Sequence, residues 1–190
     1  MIKKTKNIIS LWLVAITVFS MTACINNKNE EINSKNIEKY LPQILENQIK
    51  IENIYRGIGL LTKDAQYVAD SNGQCFVEVT EKDFATMAML KEQTEKVYTK
   101  EYAEENFYKF AFDKNYARYK EVDGKLCSDI GIGGALDRQW SPETFKVISE
   151  DDNTITISVE YMNYNSVFLA NIIFLKSDGK LIIDKLLENQ

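Results

Sequence analysis

The 190-residue chain has no histidine, only two prolines, three cysteines and three arginines against 20 lysines. The missing histidine removes Ser-His-Asp triads, Cys-His dyads and most zinc sites together. No Gly-x-Ser-x-Gly elbow and no phosphate loop occurs. Glu150-Asp151-Asp152-Asn153 lacks the glycine and terminal glutamate of a calcium loop, and it stands where a hairpin turn is needed. Gly131-x-Gly133-Gly134 matches a dinucleotide fingerprint only superficially, because the third glycine and a parallel βαβ frame are missing. Nothing local therefore names a reaction or a cofactor. The hydrophobic share, 45%, is ample for a core, and the length suits one domain with extensions.

The longest apolar run is at the start. Lys3, Lys4 and Lys6 precede an apolar stretch from Ile8 to Thr22, and small residues lead to Cys24. That order is a secretory signal. Met21-Thr22-Ala23-Cys24 resembles the bacterial lipobox, which implies cleavage after residue 23 and lipidation of Cys24. The run is shorter than the roughly 20 residues needed to span hydrocarbon. Removing residues 1–23 takes away three lysines and no acid, leaving 20 basic against 28 acidic residues and a net charge of −8. Such a chain is a poor nucleic-acid binder and suits a basic partner better. The predicted layout is a signal at 1–23, a polar tether at 24–36 and a globular domain at 37–190.

The domain is organised around its C-terminal part, which predicts three antiparallel strands between Thr144 and Leu187. Ile155, Ile157, Val159 and Tyr161 alternate with polar residues, as on a half-buried strand. Ser166 to Leu175 is apolar on both faces, which suits the middle of a sheet or a place under a helix. Asp178-Gly179 and Asp123-Gly124 are hairpin turn signals, the second joining strands at 116–121 and 126–130.

Upstream, Pro42 opens a helix with a stripe of Leu41, Leu45 and Ile49, ended by Gly57 and Gly59. Cys75 to Val79 predicts a short strand. Thr80 to Asp83 is expected to cap a helix with Phe84, Met87, Ala88 and Lys91 on one face. A further helix at 100–113 carries Ala103, Phe107, Phe110 and Ala111 on one side. Tyr98, Tyr102, Tyr108, Tyr116 and Tyr119 gather around these helices, as a ligand wall or as core edges with their hydroxyls in water. The fold class is α+β, with N-terminal helices packed on a C-terminal curved antiparallel sheet.

Two features are candidate sites. Ser128 to Pro142 holds three of the eight glycines, a tryptophan and a proline. It reads as a glycine bulge that pins Trp140 on the core, or as a protein-contact loop with Trp140 as anchor and Asp129, Asp137 and Arg138 as polar contacts. With Cys24 lipidated, Cys75 and Cys127 are either a disulfide pair or two buried thiols.

From about Lys100 onward the chain resembles the IseA-type inhibitors of bacterial DL-endopeptidases. The resemblance rests on Tyr98-Thr99 before an aromatic helix, on Tyr119 to Leu126, and on Asp129-Ile130-Gly131. It continues in the hairpin at 150–156 and in Asp178 to Leu181. It implies a non-catalytic protein. The lipid anchor is where this chain departs from the family, which includes a secreted soluble form. It is the lipobox that predicts anchoring on the extracellular face of the cell membrane, while the missing motifs predict no cofactor or metal. The implied partner is an NlpC/P60-type cell-wall peptidase, whose cleft an acidic surface would block. The other reading is an NTF2-like cone, a ligand-binding or scaffolding lipoprotein with its cavity between helices and sheet.

Overall fold

The computed structural model of the chain describes residues 31–64, 69, 72–134 and 136–188. The expected signal segment, Cys24 and the first part of the tether lie outside the described residues. The folded unit takes in the chain from Glu31. Ile32 and Asn36 are buried, and the Ser34 amide donates to Glu150 Oε2 at 3.1 Å. Packing therefore starts a few residues before the expected boundary at 37. Among the described residues no helix is long and apolar enough to cross a membrane.

Helix α1 (Leu41–Arg56) begins where Pro42, which has no amide to leave unsatisfied, fits the first turn. It buries Leu41, Leu45, Gln48, Ile51, Glu52, Ile54 and Tyr55. It ends at Gly57, whose backbone leaves the helical region (φ −97°, ψ −139°) and where a Cβ would meet Asn53 Oδ1 at 2.2 Å. Helix α2 (Met87–Glu95) is capped by Thr86, whose hydroxyl accepts from the Met89 amide. Thr80 is not its cap, because Lys82–Phe84 forms a separate 3-10 turn. Phe84 lies outside α2 and does not set its phase; the buried face of the helix carries Leu90 and Thr94 instead of Ala88 and Lys91. Thr99 caps α3 (Lys100–Ala103), which runs through a π turn (Glu104–Tyr108) into a last α turn (Lys109–Ala111). The wider turn keeps Ala103, Phe107 and Ala111 inside and leaves Phe110 66% exposed.

The strands form two antiparallel sheets. The smaller has the order β1-β3-β2, from β1 (Phe76–Glu78), β2 (Tyr119–Val122) and β3 (Lys125–Asp129). The larger runs β4-β5-β6-β7, from β4 (Arg138–Glu150), β5 (Thr154–Asn163), β6 (Ser166–Ser177) and β7 (Lys180–Glu188). The architecture is mixed α+β with a C-terminal antiparallel sheet, as the sequence predicts. Asp123-Gly124 and Asp178-Gly179 have positive φ at both positions, the twist that two-residue hairpins require. The large sheet has four strands, not three. β4 hides in the sequence because its register shifts between Ser141 and Lys146, around Pro142. An edge strand with a bulge tolerates proline and loses its alternation.

One core joins the layers. Ile155, Ile157, Val159, Ile172, Phe174 and Ile183 from the inner face of the large sheet meet Leu41, Leu45, Leu90 and Tyr98. The Thr99 amide donates to Ile183 O at 2.8 Å, fixing the start of α3 against β7.

Candidate functional site

The loop residues singled out in the sequence separate when folded. Asp129 is 4% exposed. Its carboxylate accepts from Gln74 Nε2 at 2.7 Å, the Gly131 amide at 2.9 Å and the Cys75 amide at 3.3 Å. It holds the chain's exit from β3 and faces no partner. Arg138 and Trp140 belong to β4 and point inward. Trp140 Nε1 donates to Gln48 Oε1 at 2.7 Å, and Gln48 Nε2 donates to the Tyr98 hydroxyl at 3.0 Å. Only Asp137 of the four is exposed. The contact-loop expectation fails for Arg138 and Trp140 because strand β4 starts inside the supposed loop and turns them toward α1. It fails for Asp129 because that residue ends β3 with its carboxylate taken up by Gln74, Cys75 and Gly131.

Arg138 is the hub of a buried ion cluster. Its Nη1 donates to Glu52 Oε2 at 2.8 Å and its Nη2 to Glu188. Glu52 is fully buried and also lies 3.6 Å from Arg56. Burial pushes the Glu52 carboxyl above the usual carboxylate range, against the opposing pull of Arg138 and Arg56.

The tyrosines are core residues. Tyr98, Tyr108 and Tyr119 are buried, and their hydroxyls have protein partners instead of facing water. Tyr119 donates to Ile54 O at 2.7 Å, and Tyr55 shares a 2.9 Å bond with Thr94. Burial raises the Tyr98 and Tyr55 hydroxyls well above the ordinary tyrosine value. Tyr116 alone of the group stands 70% exposed.

Cys75 and Cys127 are free thiols. Glu78 pairs with Cys127 across β1 and β3, which puts Cys75 three residues along and on the opposite face. A disulfide would require a register change. Burial also pushes the Cys127 thiol up, away from reactivity. In a Cys24→Ser variant, a thiol-specific dye should label Cys75 first and count two thiols after unfolding. A mapped Cys75–Cys127 disulfide would contradict this register.

Among the described residues two open surfaces stand out. The first is the outer face of the large sheet. β6 is apolar on both sides, as its sequence says, yet Val167 is 67%, Leu169 42% and Leu175 37% exposed. Met162 pairs with Val167, Leu187 pairs with Asn171, and both are exposed, so they widen the stripe. The second is a pocket of about 280 Å³ between the end of α1, the helix at 100–111, and residues 116–118 and 132. Two of the three arginines, Arg56 and Arg118, line it. No local pattern marks Arg118. The signal that was available is scarcity: in a lysine-rich chain, an arginine is placed where a planar fork is needed.

Among the described residues no group of three or more Cys, Asp or Glu is arranged to hold a metal ion. No family model matches the chain, and no curated protein matches it significantly.

Proposed function

We propose that this chain is a lipid-anchored protein of the extracellular membrane face. It is not an enzyme; it binds and inhibits an NlpC/P60-type DL-endopeptidase of the cell wall. The lipobox at Cys24, the net charge of −8 after signal removal and the resemblance to IseA-type inhibitors support this reading. The observation that carries it is the bare apolar stripe on β6. An exposed apolar stripe of this kind, broken by Asn171 and flanked by Glu160 on β5 and Lys185 on β7, is characteristic of a protein-docking face. An acidic body also steers toward a basic partner at low salt.

The small-ligand reading asks for a cavity between helices and large sheet. That space is packed by residues at 0% exposure, among them Leu41, Tyr98, Ile157 and Phe174, so it gains no support there.

The chain without residues 1–23, added in excess, should slow digestion of purified cell wall by such a peptidase. Val167→Glu with Leu169→Glu on the stripe should restore digestion while the fold persists, since both side chains are exposed. Undiminished cleavage at excess protein would remove the inhibitor reading. Inhibition untouched by the double variant would move it to another face.

A further inference from the structure

The pocket at the end of α1 has a chemistry of its own, and none of its lining comes from the large sheet. Arg118 is 5% exposed. One Nη donates to Gly57 O at 2.7 Å, while its buried Nε has no partner. No carboxylate among the described residues forms an ion pair with it. Asp129, its neighbour across the ladder, is held by Gln74, Cys75 and Gly131. Gly59 lies against the guanidinium with a φ of +83°, and a Cβ there would meet Arg118 Nη2 at 2.7 Å. A glycine is thus required for the guanidinium to sit where it does.

Arg56, the second cation of the pocket, is only loosely compensated. Its Glu52 neighbour is 3.6 Å away and bonds Arg138 at 2.8 Å. Glu52 and Glu188 are the only carboxylates paired with the three guanidinium groups among the described residues, leaving one positive charge over. An uncompensated buried guanidinium is unfavourable unless an anion reaches it. Around these charges the rim is apolar: Phe110 is 66%, Tyr116 70% and Ile132 36% exposed. Exposed aromatics beside a cationic floor fit a ligand that is charged at one end and apolar at the other. The volume, about 280 Å³, lies at the small end of ligand pockets and matches a group about the size of an amino acid.

We propose that this pocket binds a carboxylate joined to an apolar or aromatic group. Arg118 and Arg56 take the carboxylate, and Phe110, Tyr116 and Ile132 cover the apolar part. A planar fork suits a carboxylate better than an ammonium does. The proposal does not depend on the peptidase reading, which uses the outer sheet face.

Calorimetric titration of the chain without residues 1–23 tests it with four probes. N-acetyl-phenylalanine represents a peptide C-terminus, 3-phenylpropanoate a free acid, N-acetyl-phenylalanine amide the uncharged control, and inorganic phosphate a bare anion. Both acids should bind at least about tenfold tighter than the amide, the worth of a charge-assisted hydrogen bond. Phosphate should not compete. N-acetyl-phenylalanine binding tighter than 3-phenylpropanoate assigns the site to peptide termini; the reverse, or equality, assigns it to free acids. Phe110→Ala and Arg56→Gln, both at exposed positions, should each weaken the better acid by about tenfold. The proposal is overturned if the amide matches the acids, if phosphate competes equally, if both variants bind like the parent, or if no acid binds at millimolar concentration.

Discussion

Arg138→Ala should destabilise the folded unit by about 3–5 kcal/mol, the usual penalty for removing one partner of a buried ion pair. Arg138 is 7% exposed at its side chain and Glu52 is 1% exposed, so water cannot replace the lost guanidinium. The same change removes a cation stacked over Tyr161 at 4.8 Å and Trp140 at 5.6 Å. The loss should depend on pH in a defined direction. Burial already raises the Glu52 carboxyl in the folded state above its ordinary 4.5. A raised folded-state value means that the folded chain holds the proton longer than the unfolded chain. Stability is then greatest below the unfolded value and falls as pH climbs through the folded one. Without Arg138 the folded value moves higher still, so the variant should lose more urea resistance at pH 8 than at pH 5. Adding Glu52→Gln should flatten that difference and recover part of the midpoint. A single variant whose urea midpoint matches the parent at both pH values would show that Arg138 is not the counter-charge of Glu52.

What was legible in the sequence follows from periodicity and turn chemistry. β5, β6 and β7 announce themselves through strict alternation from Ile155 to Tyr161, a two-faced apolar run and Asp178-Gly179. α1 announces itself through Pro42 at one end and Gly57 at the other. Two of the misses share a cause, a local irregularity that shifts phase. The bulges of β4 break the alternation on which strand recognition rests, so the sequence around Arg138 and Trp140 has the pattern of a loop. The separate 3-10 turn at Lys82–Phe84 takes Phe84 out of α2, so Phe84 does not set the phase of its buried face. Cys75 and Cys127 share a sheet, but their facing depends on a one-residue count of register that spacing alone does not supply. Arg118 is the extreme case. Its role comes from Gly57 and Gly59, some 60 residues away in sequence, and no window around Ala117-Arg118-Tyr119 contains them.

The π turn makes the sharpest contrast between pattern and structure. Phe107 and Phe110 are three residues apart and share one face of an ordinary α-helix. The wider turn at Glu104–Tyr108 separates them, so Phe107 is 1% exposed and Phe110 66%. Phe107 stacks on Tyr55 at 4.8 Å and meets Tyr98 edge-on at 5.0 Å, and Arg56 lies over its ring at 5.2 Å. Truncation there leaves a void beside the packed rings of Tyr55, Tyr98 and Tyr102. Phe107→Ala should therefore cost about 3–5 kcal/mol, while Phe110→Ala stays within about 0.5 kcal/mol of the parent. For a unit of this size the first corresponds to a melting point lower by about 10 °C, at roughly 2–4 °C per kcal/mol. Urea titrations of both variants decide the matter. Equal losses at the two positions would mean that the helix keeps α phase through Glu104–Tyr108. The observed asymmetry would also explain how one helix serves two surfaces, with Phe107 closing the core and Phe110 free to cover a ligand in the pocket beside it.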